Sequence, residues 1–520
     1  MTAGRTRVHN DTYLDSVRLL AGSKAMLGVS GVEQAWALMG TPANLAELTS
    51  DGFDPDALGD AGANDLVLAV RASSAEAAEA ALASAERALL GEPEAGGPSA
   101  RDGHTASGRP GRTLDEALAA LPGANVAVVS VPGPYAALEA HKALSAGMHV
   151  LLFSDNVPVE DEVALKTRAG ALGLLLMGPG AGTAMLGGVG LGFANAVARG
   201  PVGVVAAAGT GAQEAMSLLD RWGVGVAQVL GVGGRDLSRP VGGRMAMDAM
   251  CRLERDEATD VILLVSKPPA GDVVADVLRT VATKPVVAAL PGLRQPVPLP
   301  PGARIATSLE QGALAVLDVL GRPRPDLGTG LVDAARHACP RLGPERRAVR
   351  GLFSGGTLCY EALVVMSDRL GAVYSNTPLR DDWGLPAPLG AHVCIDVGEE
   401  EFTRGRPHPM IDPGTRTELI RREGHDPATA VLLLDVVLGH GAHPDPASEL
   451  APACAEVLAQ TDGPQVVVYV LGTEGDPQGY LAQRRAFEEV GCVVAPTAAR
   501  GALVATAIAT RRPEVAGEPA

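Results

Sequence analysis

Apolar and polar positions follow two rhythms along the chain. Short, mostly apolar runs at 126–131, 150–153, 174–177, 202–206 and 349–353 predict buried strands. Between them, apolar residues recur every three or four positions and predict helices. Strands alternating with helices predict a parallel sheet covered on both faces, an α/β fold. The first 90 residues differ. Positions 13–20 and 32–39 read as strands flanking a short helix at 23–27. A third strand at 65–70 and an Ala-rich helix at 74–90 complete a small α+β module. Residues 91–113 have no apolar period and are rich in Gly, Pro and Ser, so they read as a flexible linker. Residues 322–347, punctuated by Pro and Arg, read as a second linker, with room for one helix at 331–338. The tail after Arg511 is expected to be loose.

The domains that follow are a Rossmann-type domain (114–197) and two copies of one further domain (198–321 and 348–512). The duplication rests on matched spacing. Gly209-Thr210-Gly211-Ala212-Gln213-Glu214-Ala215 in the first copy recurs as Gly356-Thr357-Leu358-Cys359-Tyr360-Glu361-Ala362 in the second. Each segment follows a strand, opens an amphipathic helix and ends at a glycine, Gly223 or Gly371. Asp256-x-Ala258-Thr259-x-Val261 then matches Asp426-x-Ala428-Thr429-x-Val431, and Gly312-Ala313-Leu314 matches Gly501-Ala502-Leu503. The second copy carries an insertion, placed at 381–409.

Composition narrows the partners. The net charge is −17, which argues against nucleic acid or an anionic membrane as partner. No apolar run approaches the length of a membrane span and the start is polar, so a cytoplasmic location is expected. Six scattered cysteines without a CxxC suit reduced thiols and predict no metal site. Neither Walker A nor GxGxxG is present.

The repeated element has its own chemistry. The first N–H groups of a helix lack intrahelical partners, and the dipole favours an anion there. Two such ends, at Gly209, Thr210, Gly211 and Ala212 and at Ser354, Gly355, Gly356 and Thr357, are expected to converge on one phosphate. Gly178, Gly180, Gly182 and Thr183 follow a buried strand, where small residues leave backbone N–H groups open to substrate. Plain tight turns account for them equally. Lys267 follows a buried strand and Arg235 a glycine pair, so both are candidate clamps for an anionic substrate. Arg235 alternatively forms a surface ion pair. His440, with His443 nearby, is a candidate for proton transfer or a solvated loop residue. Glu214 and Glu361 read as first-turn carboxylates that favour the dipole, and Cys359 as a packing residue.

These motifs resemble the succinyl-CoA synthetase superfamily, and their order is most similar to the FdrA family. Tyr13-x-Asp15-Ser16-Val17, Ser154-Asp155-Asn156-Val157-Pro158, Gly178–Thr183, Gly233-Gly234-Arg235-Asp236-Leu237-Ser238 and Ser266-Lys267-Pro268-Pro269 carry the likeness. The resemblance implies a CoA-binding-type Rossmann domain followed by two flavodoxin-like ligase domains, with Asn156 on the substrate side. It also implies an oxamate carbamoyltransferase subunit, which turns oxalurate and phosphate into oxamate and carbamoyl phosphate in purine catabolism with partner subunits. The synthetase phosphohistidine segment corresponds to residues 295–308, which contain no histidine. The expectation is therefore carbamoyl transfer to free phosphate as substrate, assisted by Lys267, Arg235 and His440, in a multi-subunit or homo-oligomeric assembly. The alternatives are a CoA-dependent acyl-CoA synthetase or acyltransferase, and a non-catalytic scaffold.

Overall fold

The computed structural model describes residues 3–14, 16–90, 113–403 and 407–520. Two compact units emerge: residues 1–109 with 400–411, and residues 110–399 with 412–520.

The first unit runs β1 (Ala3–His9), α1 (Ser16–Leu27), β2 (Val32–Met39), α2 (Pro42–Ser50), α3 (Pro55–Leu58), β3 (Leu66–Ala72) and α4 (Ala75–Leu90). Its antiparallel sheet has the order β1-β3-β2. The strand expected at 13–20 is instead the start of α1. Leu19, Ser23 and Met26 lie on one helical face, and Leu19 and Met26 join the core beneath α4. The true first strand, Ala3–His9, was hidden because most of its side chains stay partly exposed and leave no apolar run. The linker read at 91–113 falls almost wholly outside the described residues.

The second unit begins with α5 (Leu114–Ala120), β4 (Val126–Val129), α6 (Gly133–Ser145), β5 (His149–Leu152), α7 (Val159–Leu172) and β6 (Leu176–Met177). These make a three-stranded parallel sheet ordered β4-β5-β6. The first repeat follows, with a hairpin β7 (Thr183–Leu186) and β8 (Val189–Gly192), then β9 (Arg199–Ala206), α8 (Gly209–Arg221), β10 (Val226–Gly231), α9 (Arg244–Arg255), β11 (Val261–Val265), α10 (Gly271–Leu278), β12 (Val286–Ala289), β13 (Ala303–Ala306) and α11 (Leu309–Val319). Its sheet order is β13-β12-β11-β9-β10-β7-β8. The hairpin at 183–192 thus belongs to this sheet and not to the Rossmann-type domain. After α12 (Leu331–Ala338) the second repeat runs β14 (Ala348–Phe353), α13 (Gly356–Leu370), β15 (Val373–Tyr374), β16 (His392–Asp396), α14 (Glu400–Thr403), α15 (Gly414–His425), β17 (Thr429–Val437), α16 (Pro446–Leu458), β18 (Gln465–Leu471), α17 (Tyr480–Glu489), β19 (Val493–Ala495) and α18 (Ala498–Thr510). Of these, α14 falls in the residues grouped with the first unit.

Both repeats contain five parallel strands ordered second, first, third, fourth, fifth: β10-β9-β11-β12-β13 and β16-β14-β17-β18-β19. That is the flavodoxin-like order, with its switch point between first and third strands. Strands β9, β11, β14 and β17 are buried over most of their length, as a sheet covered on both faces requires. The insertion read at 381–409 contains β16, which pairs with β14 and is the second strand of the core sheet. The repeats differ between their last strands, where copy two has α17 and copy one has an irregular stretch. Pro291, Pro296, Pro298, Pro300 and Pro301 account for that loss.

The small sheet and the first repeat share one hydrophobic cluster, including Leu151, Leu176, Met245 and Leu264. Lys166 pins the joint. Its fully buried ammonium donates to Glu162 (2.7 Å), Asp236 (2.7 Å) and the Val232 carbonyl (2.9 Å), which satisfies all three donors. The tail after Arg511 is not loose. Val515 and Ala516 are buried, and Glu518 pairs with Arg369 at 2.9 Å.

Candidate active site

The two helix starts do meet. The Thr357 amide donates to Thr210 Oγ1 at 3.2 Å, and a Cβ on Gly211 would lie 3.0 Å from Thr357 Cγ2. This follows from topology, because each helix leaves the first strand of its sheet at a switch point. Thr183, on β7, stands buried beside them, its hydroxyl 3.8 Å from a Cβ on Gly209.

The shared space is not the phosphate cradle expected. The Asp435 carboxylate accepts from the Ser354 amide (2.7 Å), the Ser354 hydroxyl (3.1 Å) and the Gly355 amide (2.8 Å). Arg416, fully buried, pairs with Asp435 at 3.0 Å and donates to the Leu352 carbonyl at 2.8 Å. Ser354, Gly355 and Thr357 therefore hold a resident carboxylate and a threonine hydroxyl. An anion sits at that helix end already, and it is a side chain of the protein.

Gly356 and Gly209, both half-buried, lie beside it. A Cβ on Gly356 would overlap Asp396 Oδ2 and lie 3.5 Å from Lys267 Nζ. Lys267 also stands 5.9 Å above the Tyr360 ring. Asp396 closes β16, and its other carboxylate oxygen accepts from the Gly398 amide at 3.0 Å. Burial pushes the Asp396 carboxyl up to about 7, while Lys267 opposes that rise. Cys359 is buried and its thiol is pushed well up by burial, with Cys394 and Asp396 nearby, so it packs.

Arg235 and His440 lie elsewhere. Arg235 pairs with Glu162 at 2.9 Å and donates to the Val157 carbonyl at 2.7 Å, which ties α7 to the loop after β10. His440 donates its amide to Ala194 at 2.7 Å and lines an open pocket with Asn195 and Asp220. Gly178 and Gly180 have φ of +108° and +66°, and the Gly180 amide donates to the Ser154 carbonyl, tying this turn to the loop after β5. Gly182 packs near Phe153 and Phe193. Asn156 is exposed between β5 and α7. The junction thus gathers Thr183, Gly209, Thr210, Lys267, Gly356 and Thr357. It also holds Asp396, Asp435 and Tyr360, which sequence reasoning missed. An aspartate at the carboxyl end of a buried strand was the available signal for the first two.

A deeper pair of carboxyls locks the repeats together. Glu361 of α13 accepts from the Leu309 amide, the first residue of α11 in copy one. Glu214 of α8 accepts from the hydroxyl of Tyr469, on β18 of copy two. Each contact ties one repeat to the other. Burial pushes Glu214 up to about 7 and Glu361 well above the usual carboxylate range.

Comparison with known proteins fixes the kinship. Residues 352–508 match the CoA-ligase family, and residues 1–105 match the heavy metal-associated domain of AllF. The uncharacterized protein YahF of Escherichia coli K12 is 37% identical over 505 residues, 95% of this chain and 96% of that one. The chain belongs to the AllF/FdrA-like, succinyl-CoA synthetase-like family. The α subunit of ADP-forming succinate–CoA ligase from Staphylococcus epidermidis is 30% identical over 235 residues, which span 42% of this AllF/FdrA-like chain and 75% of the subunit. Among solved structures, ATP citrate lyase of Methanosaeta concilii is similar over 41% of this chain and 42% of its own, with 20% identity and a TM-score of 0.33.

These relatives overturn carbamoyl transfer, because they are CoA ligases. Heavy-metal binding by thiolates does not fit residues 1–105, since the first cysteine of the AllF/FdrA-like chain is Cys251. Among the described residues no helix is long and apolar enough to cross a membrane.

Proposed function

We propose that this AllF/FdrA-like protein is an acyl-CoA-ligase-type enzyme that exchanges an acyl group between phosphate and the CoA thiol without a phosphohistidine. The carrying observation is the placement of Lys267 and Asp396 together against Gly356 where the two helix starts meet. The CoA-ligase match spans Gly356, Asp396 and Asp435, which supports this class. The AllF match supports an acid from allantoin breakdown as the acyl substrate.

The steps follow from the geometry. CoA brings a thiol. Asp396, poised near neutral pH, takes the thiol proton. The sulfur attacks the carbonyl of an acyl phosphate, a C–S bond forms, and the C–O bond to phosphate breaks. Phosphate leaves toward Lys267 and the first amides of α8, where the dipole stabilises its charge. The reverse direction returns the proton from Asp396 to the departing thiolate.

The test is thioester formation from CoA and a panel of small acyl phosphates. Asp396→Asn is expected to lower kcat by about 10²–10⁴, the usual worth of a general base. In wild type, kcat/KM should rise with pH through about 7 as Asp396 ionises, and this limb should vanish in Asp396→Asn. Wild-type protein that forms no thioester from any of the panel would sink the reading.

A further inference from the structure

The small parallel sheet of the second unit stops at its first strand. Its order is β4-β5-β6, and among the described residues β5 is the one strand paired with β4. A doubly wound sheet continues past its first strand on the other side. The Asn125 carbonyl accepts from the His149 amide at 2.9 Å, and the Val129 carbonyl from the Phe153 amide at 2.8 Å. Backbone groups alternate along a strand, so Val126 and Val128 direct their N–H and C=O groups away from β5.

This edge lacks the charges that guard others. Arg5 and Arg7 stand on edge strand β1, Glu33 on β2 and Arg304 on β13. Strand β4 reads Val-Ala-Val-Val in unbroken register, with no charge, proline or bulge. Ala127 and Val129 join the core with Ala136 and Ala140 of α6, while Val128, on the opposite face, is 54% exposed. Leu121 before the strand and Tyr135 and Leu138 after it are exposed as well. Positions 117–138 hold no charged residue, in a chain where 20% of residues are charged. The occupant follows from charge. Copies that each carry −17 repel one another and need a neutral face on which to meet, and this stretch supplies one. A foreign partner of an acidic chain gains by facing carboxylates, which this stretch lacks.

We propose that β4 pairs antiparallel with β4 of a second copy, about a two-fold axis at Ala127. Val126 of each copy then lies opposite Val128 of the other. Each such pair exchanges both of its N–H···O bonds and sets valine against valine. The two small sheets become one continuous sheet. The contact is isologous and closed, so assembly through it stops at a dimer. The pairing is independent of the acyl-CoA reading above.

Light scattering on the eluting full-length protein and cysteine cross-linking test this. Wild type should be a dimer at micromolar concentration. Val128→Lys should raise the dimer dissociation constant ~100-fold or more, because two cations enter one apolar contact. Val128→Thr should keep the dimer, and both variants should keep the wild-type melting profile, since position 128 is exposed. Ala127→Cys checks the register. Paired α-carbons at such a two-fold stand about 4.5 Å apart, within disulfide reach. Oxidised glutathione should therefore link this variant into a covalent dimer, while wild type with its six native cysteines stays unlinked. A monomeric wild type overturns the proposal, as does a dimer that Val128→Lys leaves intact. Failure of Ala127→Cys to cross-link overturns the two-fold pairing.

Discussion

Asp435 decides what the α13 helix end can accept. With Ser354 and Gly355 donating to its carboxylate and Arg416 balancing its charge, a second anion would meet like charge without those donors. Asp396, on β16 across β14 from Asp435, differs because burial lifts its pKa to about 7. Glu214 shares that elevation, and its sign can be read in stability. Its folded pKa lies above the unfolded 4.5, so between about pH 4.5 and 7 the unfolded chain binds fewer protons at this site. Stability therefore falls as pH rises through that window, by up to ~3 kcal/mol from this group. Glu214→Gln should be flatter across pH 5–8 in urea denaturation, with its difference from wild type widening toward pH 8. A parallel pair of curves would contradict the elevated pKa. Lys267 was legible as a polar residue after a buried strand. The bonds of Asp435 to Ser354 and Gly355 were not, because those residues lie about 80 positions away and only strand pairing joins them.

At the scale of elements, the α8–α13 junction depends on one side chain reaching one amide. Thr210→Val would keep the shape but leave the buried Thr357 amide unpaired, at a cost of about 1–3 kcal/mol. Thr210→Ser should recover most of it, and urea midpoints for the two variants check this. The duplication was readable because the Gly-Thr and Glu-Ala spacing serves both the turn and the interface. Strand β16 was not, since it falls inside a stretch where the repeats cease to match. The first unit misled for a different reason. Leu14 and Leu19 with Val17 mimic a strand, while the helical face that buries Leu19 and Met26 becomes clear only against α4.

Over the whole molecule, the last residues act as a strap and not as a loose end. Glu518 meets Arg369, the Glu518 carbonyl accepts from Arg500 at 2.8 Å, and Val515 is buried. Deleting residues 513–520 should lower stability by at least ~2 kcal/mol, the worth of burying one valine, with a matching drop in urea midpoint. A composition-based reading misses this because eight residues show no period. The alternation of strands and helices, by contrast, sufficed for two flavodoxin-like sheets. The reciprocal glutamates then carry a last consequence. Each repeat reaches into the other: Glu361 accepts from the first amide of α11, and Glu214 from the Tyr469 hydroxyl on β18. Severed between residues 321 and 331, the pieces should behave like the halves of a clasp, staying together as a heterodimer and each precipitating when made without its mate.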